Sequence, residues 1–195
     1  MGRNLFLQTG LIALLAVSMA APAFAMGPGG FGKSLIESKT VRLLVERRSS
    51  IGPKAFRVFC KSSPRDCRGG GASKTALGKT TFKKLARINR AVNRAIKPKT
   101  DIRDIWSINV SQGDCEDYVL TKRRKLIAMG IPASSLRIAV GTTKRGVGHA
   151  VLIIRSTSGD LVLDNRNNSI RPWYKTDIKF LAMTSSNAKT WRYLR

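Results

Sequence analysis

Cys115, His149 and Asp164 supply, in that order, a thiol, an imidazole and a carboxylate, the side chains that nucleophilic acyl chemistry needs. His149 is the only histidine in the chain. Cys115 lies in Ser111-Gln112-Gly113-Asp114-Cys115-Glu116-Asp117-Tyr118, which sets three carboxylates within two residues of the sulfur, in a chain with 11 acidic against 36 basic residues. Negative neighbours favour the protonated thiol, so the crowding calls for a compensating influence. A helix beginning at Asp114 supplies one, because free backbone N–H groups and the positive end of the dipole favour thiolate. A protonated His149 would favour it further as an ion pair. The chemistry would be attack of Cys115 on a carbonyl, with His149 protonating the leaving group. The Cys115 amide is one candidate donor for the resulting oxyanion; Gln112, Asn109 and the Trp106 indole are three candidates for a second. Asn165, directly after Asp164, is an alternative orienter of the imidazole.

These residues need elements to position them. The pattern predicts a helix over residues 114–129, with Asp114 as N-cap and Asp117 completing a box-like start. Cys115, Val119 and Leu126 share its apolar stripe, residues 122–125 read as solvated, and Gly130 and Pro132 end it. A second helix is expected over residues 81–97, where Phe82, Leu85, Ile88, Val92 and Ile96 recur at helical spacing before Pro98. Residues 34–48 carry a less complete stripe of Leu35, Ile36, Leu43 and Leu44 and also read as helical. Short β-branched runs at 136–140, 149–154 and 161–163 read as strands, the last two as a hairpin that brings His149 toward Asp164 without fixing the register. Helices followed by an antiparallel sheet indicate the α+β class. Trp173 and Tyr174 are expected to cover the sheet or line a cleft, and Trp191 and Tyr193 to dock the C-terminus.

Residues 1–25 have the form of a cleaved secretory signal peptide. Arg3 precedes an apolar run too short for the ~20 residues of a membrane span, and Ala23-Phe24-Ala25 supplies a small-x-small cleavage site. Residues 26–195 then form a single exported domain, periplasmic or secreted, expected to be a monomer. The whole chain has a formal net charge of +25, of which residues 1–25 contribute only Arg3, and a charge this basic favours anionic polymers and lipid head groups. An exported protein rarely meets nucleic acid, so anionic envelope material is the expected polyanion and nucleic acid is not; solubility alone is the blander reading of the charge. In an oxidising compartment Cys60 and Cys67, seven positions apart across a polar turn, read as a local disulfide. That pairing leaves Cys115 as a free and reactive thiol.

The runs GDCEDYVLTKRRKLIAMGIP, GHAVLII and LVLDNRNNSIRPW together resemble the bacterial transglutaminase-like cysteine proteinases, over about residues 92–173. That family includes periplasmic proteases that release large adhesins from the cell surface and so disperse biofilms. The resemblance implies a papain-like, transglutaminase-like core with the cysteine helix packed on an antiparallel sheet. It implies Cys115 as nucleophile, His149 as base and Asp164 as third member. It also implies calcium held by the acids flanking the nucleophile, Asp114 and Glu116, which leaves Asp117 to cap the helix. Without calcium, Asp114 is a plain cap and Glu116 pairs with a nearby base. The implied activity is cleavage of a peptide bond in an envelope or surface protein. Two alternatives stand beside it: transglutaminase-type transfer of the acyl group to a lysine amine, and a non-catalytic, basic envelope-binding protein on the same scaffold.

Overall fold

Residues 41–100 and 102–195 are described by the computed structural model of the chain, so the expected signal peptide and the first part of the 34–48 helix lie outside them. The described residues fall in one unit, Lys39–Arg195. In chain order the elements are β1 (Glu46–Ser50), α1 (Lys54–Ser62), α2 (Lys79–Ala95), β2 (Lys97–Pro98), β3 (Gln112–Gly113) and α3 (Cys115–Ala128). They continue with β4 (Leu136–Thr143), β5 (Gly148–Ser156), β6 (Gly159–Leu163), β7 (Arg171–Pro172), β8 (Ile178–Thr184) and β9 (Trp191–Leu194).

Seven strands form one antiparallel sheet in the order β1-β9-β8-β4-β5-β6-β7. The period of two along its strands explains its burial on both faces. Leu136, Ile138, Ala150, Leu152, Ile154 and Leu163 turn to one side and pack with Phe56 and Phe59 of α1, Leu85 of α2, and Val119, Leu120 and Leu126 of α3. Ala139, Val151, Ile153 and Val162 turn to the other side with Ile178, Phe180 and Met183 of β8, and Leu44 packs against them. This is an α+β arrangement with α3 packed on an antiparallel sheet, as expected. No helix among the described residues is long and apolar enough to cross a membrane.

Part of the chain departs from its local pattern. Residues 41–45 are not helical and Glu46–Ser50 is a strand, so the described part of the 34–48 expectation is corrected. The cause is tertiary. Leu44 is buried on the outer sheet face and its N–H is taken by Asp160 Oδ2 at 2.8 Å. The Glu46 carboxylate meets Arg155 at 2.5 Å and Arg137 at 3.8 Å, which fixes β1 at the sheet edge. α2 and α3 lie close to their expected bounds. The expectation that residues 122–125 are solvated fails for two of them: Lys122 and Arg123 are 0% and 1% exposed. α3 is buried around most of its circumference, so charge was a poor guide to its solvated side. The Arg123 guanidinium donates to the carbonyls of Asp66, Arg68, Ala133 and Leu136 and ties the disulfide loop to the helix.

Cys60 and Cys67 are disulfide-bonded and Cys115 is free. Trp173 packs on the outer face of the sheet beside Phe180, with ring centroids 6.4 Å apart. Trp191 is buried against Phe56, at 5.4 Å between centroids, so the C-terminus docks as strand β9.

Candidate active site

The start of α3 is built by a reciprocal capping box between Asp114 and Asp117. Asp117 Oδ2 accepts the Asp114 N–H at 3.3 Å and Oδ1 accepts the Ser107 N–H at 2.7 Å, so this acid fixes both the helix start and the loop before it. Gly113 is required by closeness: a Cβ there would stand 2.1 Å from Asp117 Oδ2. Cys115 is therefore the first residue of the helix, where unsatisfied N–H groups and the dipole favour negative charge.

The register of the hairpin brings His149 and Asp164 together. β6 pairs with β5 up to Leu163 opposite Leu152, and one step further sets Asp164 opposite Val151. His149, two residues along on the same face, is then its diagonal neighbour. His149 Nε2 lies 2.9 Å from Asp164 Oδ1, both side chains being buried. Since β6 has ended, the β5 edge beyond Leu152 is open on that side. The Ala150 N–H, adjacent to His149, is given to Cys115 Sγ at 3.3 Å. The three residues singled out by type thus gather at one end of the sheet. Asp164, not Asn165, contacts the imidazole.

Burial tends to raise the Asp164 carboxyl, but hydrogen bonds from His149 and Arg166 outweigh it and hold the group well below the usual carboxylate range. Arg166 contributes its backbone N–H to Oδ1 at 2.9 Å and its guanidinium to Oδ2 at 2.8 Å. Sequence reasoning missed Arg166. Its spacing of two from Asp164 was visible, but its role depends on the turn that folds it back. Asn93 was missed as well; its Nδ2 donates to the Asp164 carbonyl at 3.0 Å from α2.

At the thiol the balance runs the other way. Burial and then the charge of Glu116 push Cys115 up to about 12, against a smaller opposing influence from the Ala150 N–H. The thiol donates to Glu116 Oε2 at 3.2 Å. Glu116 itself is pushed up to about 8, by burial and then by its hydrogen bond with Asp114. Asp114 and Glu116 thus sit side by side beside the sulfur. Among the described residues, no group of three or more His, Cys, Asp or Glu side chains gathers to hold a metal. Of the expected oxyanion donors, the Trp106 indole already donates to Asp104 Oδ1 at 3.0 Å, while Gln112 and Asn109 are exposed.

Residues 46–195 match the family described as bacterial transglutaminase-like cysteine proteinase. The chain belongs to that family. Among solved structures it is similar to Legionella pneumophila LapG. The calcium-bound form is 27% identical, with 53% of this chain and 65% of that one covered and a TM-score of 0.50. Another LapG structure is 26% identical, with 57% and 68% covered and a TM-score of 0.51. The match thus spans just under two thirds of the calcium-bound LapG chain. No curated protein matches the sequence. As a bacterial transglutaminase-like cysteine proteinase, the chain has the transglutaminase-like fold that its sequence resemblance implied, with the cysteine helix against the sheet.

Proposed function

We propose that this family member is an exported cysteine peptidase acting on a protein substrate through Cys115, His149 and Asp164. The observation that carries the reading is the meeting of the three residues: His149 Nε2 is 2.9 Å from Asp164 Oδ1, and Cys115 Sγ rests on the amide next to His149. Asp164 occupies Nε2, which leaves Nδ1 as the nitrogen for the sulfur. Cys115 loses its proton to His149 and attacks the carbonyl carbon. His149 then returns the proton to the departing amine as the C–N bond breaks, and water hydrolyses the thioester to restore the thiol. The Cys115 amide, at the helix start, is placed to help hold the oxyanion.

Calcium fits the donor chemistry beside the nucleophile. Asp114 and Glu116 are hard oxygen donors held together at close quarters, which would otherwise require one of them to keep a proton. They are the residues that would hold the ion, its remaining ligands coming from carbonyl oxygens or water, and its charge would offset theirs beside the sulfur. Calcium-bound LapG supports this reading. The exported location rests on the form of residues 1–25.

Labelling with an iodoacetamide probe near neutral pH tests the proposal. Fast labelling of the wild type that is lost in both Cys115→Ala and His149→Ala is the expected result. Equal labelling of wild type and His149→Ala would defeat it. A labelled amine, offered with candidate protein substrates, separates the outcomes of the thioester: shortened product supports hydrolysis and incorporated amine supports transfer.

A further inference from the structure

α2 carries its charge in a single row. Residues 79–99 contain eight Lys and Arg and no Asp or Glu. Lys79, Lys83, Arg87, Arg90 and Arg94 follow one another at helical spacing, and all five are exposed. They occupy an arc of about 80° along about 22 Å of helix. The opposite face meets the core: Leu85, Val92 and Ile96 are buried, and Asn89 and Asn93 donate to the carbonyls of Asp164, Asn167 and Asn168. None of the five cations has an ion-pair partner among the described residues. Arg87 meets only the uncharged Met129 Sδ, at 3.8 Å.

Such a row works against the helix that carries it. Cations three and four residues apart repel one another. Lys79 is the first residue of α2, where the dipole disfavours positive charge, and Gly78 before it offers no side-chain cap. An anionic partner relieves the repulsion. The shape of the surface favours a flat one. Neither the 630 Å³ cavity between α1 and residues 103–108 nor the 420 Å³ cavity beside Asp164 is lined by any of the five. They stand on the convex outside of a helix, where a plane of negative charge reaches all of them together. Phe82 decides between lipid and soluble polymer. It is 43% exposed. It flanks the row about 60° from Lys79. An exposed ring beside cations gains from the head-group boundary of a bilayer and gains little from a soluble polyanion.

We propose that the exposed face of α2 is a docking surface for an anionic lipid bilayer, with its five cations on the head groups and Phe82 at their boundary with the acyl chains. The contact is peripheral, because the core already takes the apolar face of the helix. Asn93 of α2 holds the Asp164 carbonyl at 3.0 Å, and Pro98, just past the helix, pairs with Gly113. Docking therefore holds Cys115 and Asp164 beside the bilayer. Resting on the peptidase reading above, that position selects protein substrates at the membrane surface.

Co-sedimentation of residues 26–195 with vesicles tests the surface, using phosphatidylcholine alone or with an equal part of phosphatidylglycerol. The wild type is expected to bind the anionic vesicles, to ignore the neutral ones and to be released by salt. Lys83→Gln/Arg87→Gln/Arg90→Gln is expected to bind roughly a hundredfold more weakly, at about fivefold per cation. Its melting temperature should equal or exceed that of the wild type, since repulsion along the helix is removed. Lys54→Gln/Lys61→Gln/Lys74→Gln removes the same charge from exposed positions elsewhere and should lose less than about threefold. Phe82→Gln should weaken vesicle binding severalfold and leave binding to polyphosphate unchanged. Equal losses in the two triple variants would overturn the proposal, because net charge alone would then explain binding. Equal binding to neutral vesicles, wild-type vesicle binding by Phe82→Gln, or unfolding of the α2 triple variant would overturn it too. Vesicle binding is read without substrate, so its failure leaves the labelling of Cys115 untouched, and failed labelling leaves docking in place.

Discussion

Arg166 grips the Asp164 carboxylate twice, through its backbone N–H to Oδ1 at 2.9 Å and its guanidinium to Oδ2 at 2.8 Å. The same guanidinium reaches Asp177 at 2.7 Å, so the loop after β6 closes over Asp164. Arg166→Ala should slow Cys115 labelling by roughly tenfold through loss of alignment. It should cost no more than about 1 kcal/mol of stability, because the pair is partly solvated. Asp164→Ala should be far worse, slowing labelling by ~10²–10⁴-fold. Asp164 is depressed in the folded state, so its stabilising contribution is present above the ordinary aspartate value and is lost as pH falls below it. Acid unfolding of Asp164→Asn should accordingly show a shallower slope below about pH 4 than the wild type. Parallel acid curves for the two proteins would count against the charged, hydrogen-bonded carboxylate.

Gly113→Ala is expected to dismantle the start of α3. The new Cβ would fall 2.1 Å from Asp117 Oδ2, the atom that accepts the Asp114 amide. Moving Asp117 also gives up the Ser107 N–H. The loss should be about 1–3 kcal/mol by urea unfolding, the range for a broken cap and a stranded amide. Gly70→Ala, where a Cβ meets nothing within 4 Å, is the matched control and should be near neutral. A stable Gly113→Ala protein with normal labelling would show that the cap is dispensable.

Calcium at Asp114 and Glu116 should be visible in melting temperature as well as in labelling. A ligand that binds only the folded state stabilises it by about 2.7 kcal/mol at one hundred times its dissociation constant. EGTA should therefore lower the melting temperature and slow labelling, and restored calcium should reverse both. Asp114→Asn and Glu116→Gln should each shrink the calcium-dependent shift. Identical melting curves with calcium and with EGTA would leave Asp114 as a cap and Glu116 as an acid satisfied within the protein.

Much of this site could be read before folding because its signals are local. Asp114 and Asp117 bracket a helix start at capping distance, and the apolar, β-branched runs around His149 and before Asp164, joined by a short polar link, read as a hairpin. Contact between His149 and Asp164 could be expected but not fixed, since one step of register flips a strand's side chains. What escaped notice depends on distant partners. Glu46 joins a strand because Arg155 and Arg137, about a hundred residues on, receive its carboxylate. The strands β8 and β9 went unread although Ile178–Thr184 is a mostly apolar run, and Trp191 was read only as an anchor. Lys122 and Arg123 look solvated in a run of four basic residues, yet α2, the sheet and the disulfide loop enclose α3 on the sides where they point.

Lys122 should leave its mark on the pH dependence of stability. Its folded value of about 7 lies below its ordinary 10.5, because burial disfavours the charged form. Between those two values the unfolded chain binds more protons than the folded one, so this residue makes stability rise with pH across that window. Below about 7 both states are protonated and the full cost of the buried charge is present; above 10.5 both are neutral and the cost is gone. Lys122→Met removes the cost. The variant should exceed the wild type by several kcal/mol at most near pH 6, and the gain should fade toward pH 10. Urea midpoints at pH 6, 8 and 10 measure the difference. A constant offset between the two proteins across that range would mean that Lys122 keeps its proton throughout, and that Asp164 outweighs the burial that opposes it.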